Sequence, residues 1–382
     1  MDFSLTDEQR MIQELARDFA TEVLAPAAPI IDQTEEYPLE NCRRMGELGL
    51  MGIDVPEEYG GTGADTVSYV VALEEVSKAC AATGTIMSVN NSLVCHGLVI
   101  RGTPEQREEY LRPAASFERI GTFSLSEPEA GSDAASQRTR AVRDGNHYIV
   151  NGSKNFISSG SVADFHIVFC VTDPDVTPRH RGISCLLIDA DTPGFSAGKP
   201  EEKLGIRAAD TAALSFEDCR IPVSNRLGEE GEGFVIAMEV LDAGRIGIAS
   251  QALGIGQAAF EASSEYALER QQFGKPLARH QAIQFMIADM ATRLEAARLL
   301  TFRAAQMKQR KEMYTSEAAM AKLYASETAM WVTNKAIQIH GGYGYVREYE
   351  VERYLRDAKI TEIYEGTSEV QRMVIARHLL RD

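Results

Sequence analysis

The amino-acid sequence predicts an α+β, multidomain protein in three consecutive parts, helical, then β, then helical. Three observations carry that prediction. Up to about residue 118 the chain shows well-marked helix starts; from 119 to 226 short β-branched or apolar runs are separated by turn residues; after Gly228 turn signals thin out and apolar residues recur at helical spacing. The expected domains are residues 1–118, 119–226 and 227–382, which suits 382 residues at roughly 100–200 per domain.

The helix starts come first. Thr6-Asp7-Glu8-Gln9 and Thr103-Pro104-Glu105-Gln106 both fit the capping box, in which the Thr hydroxyl accepts from a helix N–H and the Gln side chain returns the bond. In the middle part, Tyr148-Ile149-Val150, residues 165–171 and residues 183–188 read as strands, with Asn151-Gly152-Ser153-Lys154 as a hairpin turn. In the last part, Ile283, Met286, Ile287, Met290, Leu294 and Ala297 form the single stripe that a bundle helix buries. Residues 346–363 continue the helices. Tyr364-Glu365-Gly366-Thr367 interrupts them, and Ser368-Glu369-Val370-Gln371, read as a third capping box, opens a final helix.

Composition narrows the function. With 39 Lys and Arg against 56 Asp and Glu, the net charge of −17 opposes a nucleic-acid backbone as main partner. The least polar window, residues 86–100, is interrupted by Asn90, Asn91 and His96, so no membrane span is expected. Cys42, Cys80, Cys95, Cys170, Cys185 and Cys219 show no C-x-x-C pair and no clustering with the seven histidines, so they read as reduced core thiols with no metal site. The start Met1-Asp2-Phe3 has no signal-peptide or transit character, which makes the cytoplasm the expected location.

Several segments invite chemistry. Gly254-Ile255-Gly256-Gln257-Ala258-Ala259 matches the dinucleotide fingerprint, but the residues before it read as helix rather than strand, so a nicotinamide site is rejected. The loop from Phe123 through Ser124, Leu125, Ser126 and Gly131 to Ser132 and Asp133 either aims N–H groups and hydroxyls at a ligand or is an ordinary surface loop. Glu365, in the helix break beside Gly366, is either a base or a solvated helix end. Arg270, Phe273, Gly274, Lys275 and His280-Gln281 either hold phosphates and a planar ring or are a charged helix end followed by a Gly turn, and the run Gln338-Ile339-His340-Gly341-Gly342 either brings backbone N–H groups to a phosphate or is a glycine stop. Asp242-Ala243-Gly244-Arg245 reads most plainly as a surface salt bridge.

Taken together and in this order, these segments resemble the acyl-CoA dehydrogenase family over essentially the whole chain. The residues nearest its short-chain (butyryl-CoA) branch are 86–93, Leu125–Asp133, Leu241–Gly247 and 361–369, including Tyr364, Glu365 and Gly366. The resemblance implies a helical N-terminal domain, a middle β-barrel and a C-terminal four-helix bundle. It also implies FAD and α,β-dehydrogenation of an acyl-CoA to a trans-2-enoyl-CoA, with Glu365 taking the α-proton and electrons passing to electron-transfer flavoprotein. By the same resemblance Phe123–Ser132, Phe156-Ile157-Ser158 and Thr367-Ser368-Glu369 contact FAD. Arg270, Phe273, Gln281 and Gln338–Gly342 reach the cofactor of a neighbouring subunit, giving a homotetramer. Ser132, Asp242, Ala243, Gly244, Arg245, Tyr364 and Gly366 are implied to contact substrate.

Departures from the family pattern bear on substrate. Members acting on isovaleryl or long-chain thioesters carry their base where this chain has Gly244, and decarboxylating glutaryl-CoA enzymes place an Arg at Gly84. Phe156 stands where Trp is common, and the segment near Val94, Cys95 and Gly97 differs from the short-chain branch. The alternatives are a short or branched-chain dehydrogenase, an oxygen-using oxidase of the same fold, and a non-catalytic helical interaction protein.

Overall fold

The computed structural model describes residues 4–380. The first helices are α1 (Asp7–Phe19), α2 (Ala25–Thr34), α3 (Leu39–Glu47), α4 (Thr66–Ala79), α5 (Ala81–Ser88), α6 (His96–Arg101), α7 (Pro104–Gln106) and α8 (Arg112–Ala115). Both predicted capping boxes are present: Thr6 with Gln9 opens α1, and Thr103 with Gln106 opens α7. A wider π turn over Val89–Cys95 joins α5 to α6, so residues 81–101 run as one helical rod.

The middle part is a sheet of β1 (Gly121–Ser124), β2 (Arg140–Asp144), β3 (His147–Ser158), β4 (Phe165–Val171), β5 (Ile183–Asp189), β6 (Phe195–Ala197), β7 (Thr211–Pro222) and β8 (Arg226–Leu227), ordered β6-β7-β3-β2-β4-β5-β8 with β1 parallel to β4. Strand β4 is buried at every position because both its faces are covered. Phe165, Ile167 and Phe169 pack towards the helices, while Val168 and Cys170 join Tyr148, Leu186, Leu214 and Phe216 inside the sheet. The expected barrel is thus a sheet rolled round its own core whose edge strands β6 and β8 do not pair. Asn151-Gly152 is not a hairpin turn. It lies within β3 at a register shift opposite β7, Gly152 at φ +146°, and the tight turn falls after β2, at Gly145.

The last part holds α9 (Gly233–Glu269), α10 (Gln281–Gln309), α11 (Thr315–His340), α12 (Val351–Thr361) and α13 (Ser368–Leu379). The glycine-rich 254–259 segment is internal to α9, where Gly254 lies against the backbone of Glu74 and Lys78 in α4, so small residues there serve close helix packing. One core joins α4 and α5 to α9, α10, α11 and α12. The third capping box is absent: Thr367 caps α13 by accepting from Val370 N, Ser368 is the first helical residue, and Gln371 turns to other partners. All six cysteines are buried and unpaired. Among the described residues no helix is long and apolar enough to cross a membrane, and no cluster of metal-ligating side chains occurs.

Candidate active site

Glu365 stands in the break between α12 and α13, with φ +53° at Glu365 and +93° at Gly366. Two consecutive left-handed residues turn the chain sharply, and the turn drives the side chain inward against α9. The fit is close enough that a Cβ built on Gly244 would lie 2.1 Å from Glu365 Oε2 and 2.8 Å from Leu93 Cδ2. The position immediately before Arg245 and the side chain of Glu365 therefore compete for one space.

The Glu365 residue keeps some exposure as a whole, but its Oε2 is buried with no hydrogen-bond partner. Burial raises the carboxyl to about 7, although the nearby charges of Lys322 and Arg245 oppose the rise. Lys322, on α11, is fully buried and donates to the carbonyl of Gly366 at 2.7 Å. Burial lowers this ammonium to about 8 against the pull of Glu365. Tyr364 donates to Gln251 Oε1, and Gln251 Nε2 donates to Thr85 Oγ1 at 2.7 Å and Ala81 O at 3.0 Å, so the residue before Glu365 is moored to α9 and α5.

Asp242 and Arg245 form an ion pair, but not a surface one: Arg245 is 4% exposed and its Nε has no partner. Thr315 Oγ1 also donates to Asp242 Oδ2 at 2.5 Å. Ala243 is buried on the same turn. Of the segment near Val94, Cys95 and Gly97, the residue at the site is Leu93. Val94 instead lies under Gly121 of β1, which brings that strand to the same helical rod. Gly84 packs on Ser77 so tightly that a Cβ would meet Ser77 Oγ at 2.2 Å, and a larger side chain there would require Ser77 to shift.

The strand leading into the Phe123–Ser132 segment is anchored in the core. The Phe123 ring lies 4.8 Å from Phe169, while Ser124 Oγ is buried without a partner. The carbonyls of Leu125 and Ser126 accept from Lys154 Nζ and Asn155 N at 3.1 and 2.9 Å. Gly131 and Ser132 are exposed. Phe156, at φ +56°, is 67% exposed, whereas Ile157 is buried and Ser158 O accepts from Thr122 Oγ1. At the start of α13, Ser368 Oγ is likewise buried with no partner, and Glu369 is exposed.

A second group of predicted residues lies elsewhere. Arg270 stacks over Tyr343 at 5.3 Å, and His340 stacks on Tyr266 at 4.2 Å. With Ile339, Gly341 and Gly342 they line an open cleft of about 580 Å³. Phe273 is 93% exposed, and Gln281 and Gln338 are exposed. The end of α9 beside this cleft lies roughly 38 Å from Gly244 along the helix, at 1.5 Å per residue. Within one chain the two groups do not meet.

Sequence reasoning missed Lys322, Gln371 and Lys154. Lys154 is fully buried and bonds Glu127 Oε1, Gln137 Oε1 and Leu125 O at 2.8, 2.9 and 3.1 Å. The available signal at Lys322 was a cation at helical spacing within the buried run Ala318, Ala325, Ala329.

Family models for the acyl-CoA dehydrogenase N-terminal, middle and C-terminal domains match residues 6–118, 122–219 and 231–380. A short-chain-specific acyl-CoA dehydrogenase of Clostridium acetobutylicum is 51% identical over 381 residues, covering 100% of both chains. The structure of butyryl-CoA dehydrogenase from Megasphaera elsdenii superposes with a TM-score of 0.97 at 46% identity, covering 100% of both chains. A chain solved in work on the electron transferring flavoprotein of Acidaminococcus fermentans superposes at 0.98 with 50% identity, again over 100% of both.

Proposed function

The chain belongs to the acyl-CoA dehydrogenase family, whose members are oxidoreductases, and from that premise we propose that it is a FAD-dependent short-chain acyl-CoA dehydrogenase. The proposed reaction takes an acyl-CoA near butyryl length to its trans-2-enoyl-CoA and delivers the electrons to electron-transfer flavoprotein. One observation carries this reading: a buried carboxylate with an unpartnered oxygen, set in a helix break and raised to about 7. A water-exposed carboxylate is too weak a base for a C–H bond next to a thioester. Exclusion of water raises its basicity, and a neighbouring N–H stabilises the negative charge that develops on the thioester oxygen.

In this reading Glu365 removes the α-proton through Oε2, and its own backbone N–H donates to the thioester oxygen. Leu93 and Tyr364 shield the acyl group from water, while Asp242 and Arg245 orient the CoA end. When bound, FAD supplies the hydride acceptor for the β-carbon. The partnerless hydroxyls of Ser124 and Ser368 are the kind of donors such a cofactor would satisfy, and the α13 N-terminus suits a pyrophosphate. Phe123–Ser132, Phe156–Ser158 and Thr367–Glu369 would hold the cofactor. The distant cleft with Arg270 and Gln338–Gly342, together with Phe273 and Gln281, would hold the cofactor of a second copy, consistent with a homotetramer. Domain boundaries near 118/119 and 226/227 and action in the cytoplasm complete the proposal.

The test is anaerobic mixing with butyryl-CoA. The purified protein should be yellow and should bleach; Glu365→Gln should retain flavin and lose bleaching by at least about a thousandfold. Turnover that survives this substitution removes Glu365 from the mechanism. In wild type, kcat/KM should climb with pH through about 7, as the base loses its proton, and level off above.

A further inference from the structure

The left-handed conformation of Glu365 is costly for a residue with a Cβ, so something must hold it. Carbonyls in such a break have lost their helical donors. Here the carbonyl of Gly366 accepts twice: from Lys322 Nζ on α11 at 2.7 Å and from Gln371 Nε2 on α13 at 2.8 Å. Gln371 Nε2 also donates to the carbonyl of Glu365 at 3.2 Å. Lys322 therefore spends its bond on a neutral carbonyl although a carboxylate stands beside it, and Glu365 Oε2 stays without a partner.

Resting on the reading of Glu365 as the base, we infer that Lys322 and Gln371 are positioning residues for proton abstraction: donors from two helices lock the Glu365 and Gly366 carbonyls, and Lys322 adds a positive charge without bonding the carboxylate. The lock keeps Oε2 against Gly244 and keeps the Glu365 N–H aimed at the thioester. A salt bridge would instead stabilise the carboxylate and weaken it as a base. The other groups facing this site are Arg245 from α9, Tyr69 from α4, Tyr364, and Glu362 and Glu369 around Lys322. Among the charged groups at this site, Lys322 combines full burial with a hydrogen bond to the carbonyl of Gly366, the residue after the base.

The two variants that separate geometry from charge are Lys322→Met and Gln371→Leu. In the holoenzyme with butyryl-CoA each should lower kcat about tenfold, with KM within twofold of wild type. Only Lys322→Met should move the acid limb of kcat/KM, upward by about one pH unit, because only it removes a charge. A second readout needs no substrate. The difference in Tm between holoenzymes with Glu and Gln at 365, followed from pH 4 to 9, changes between the unfolded titration near 4.5 and the folded one near 7, with its midpoint between them; Lys322→Met should raise that midpoint and Gln371→Leu should not. Wild-type kcat and an unmoved midpoint in Lys322→Met overturn the assignment. If that variant does not fold, wild-type kcat in Gln371→Leu overturns the lock and a tenfold loss supports it. Failure of wild type to bleach would instead reject the proposed reaction on which the inference rests, while the Tm midpoint would still report on the charge of Lys322.

Discussion

Two buried lysines, each with a glutamate nearby, show how one pair of residue types serves opposite ends. In the middle domain Lys154 bonds Glu127 directly at 2.8 Å, and Glu127 also accepts from Arg138 N and Thr139 N at 2.6 and 3.0 Å. Burial pushes Glu127 up, but Lys154 and these donors outweigh it and hold the carboxyl below its usual range. In the helical bundle Lys322 bonds a carbonyl, Glu365 Oε2 has no partner, and burial prevails. The complete pair is a clamp. The incomplete one is a carboxyl held near neutrality, the base of the proposed reaction, and the contrast lies in where each ammonium places its hydrogen bonds.

The largest effect should come from breaking the complete pair. Lys154→Met leaves Glu127 buried without its cation and frees the Leu125 carbonyl, so stability should fall by about 3–5 kcal/mol in denaturant titration. The double change with Glu127→Gln should recover part of that loss, since an uncompensated charge is the main cost. A fall below about 1 kcal/mol would mean that water reaches the site and the clamp is not closed.

The next effect sharpens the incomplete pair. Gly244→Ala sets a methyl group 2.1 Å from Oε2, and the carboxylate must move because Leu93 closes the other side at 2.8 Å. Displacing a reacting group by about 1 Å costs roughly a hundredfold, so kcat/KM for butyryl-CoA should fall by that factor while the folded state and its flavin persist. Unchanged kinetics would show that Glu365 does not rest on α9 during turnover.

What the sequence made legible follows from the range of the forces involved. The capping boxes at Thr6 and Thr103, the strand runs and the break at Glu365 are local, and each appears where the spacing put it. The same local logic misread Ser368: Thr367 sits one residue earlier with the same hydroxyl, and Gln371 has better partners in the carbonyls of the break. Asp242 and Arg245 look like a surface pair by spacing, and only the packing of α9 against its neighbours buries Arg245 and half-buries Asp242. Lys154 in its Asn-Gly-Ser-Lys context suggests a turn, but the register shift between β3 and β7 turns the segment into strand. The cleft around Arg270 was legible only as scattered helix ends, because its residues come from the far end of the long helices and from the turn after α11.

The smallest effect tests the comparison through stability alone. For Glu365 the folded carboxyl titrates at about 7, above its ordinary 4.5. Between those values the folded chain holds a proton that the unfolded chain has released, so this group's contribution falls as pH rises from about 4.5 to 7 and is flat above. Glu365→Gln has no such proton to lose. Relative to wild type it should be stabilised by on the order of 2–3 kcal/mol at pH 8 and by nothing at pH 4, read as Tm or denaturant midpoint. Glu127→Gln should behave in the opposite sense, because its carboxylate is held below the usual range and contributes stability above its unfolded pKa that is lost in acid. Equal pH profiles for the two variants would mean that the glutamates share one environment, and the distinction between clamp and base would fall.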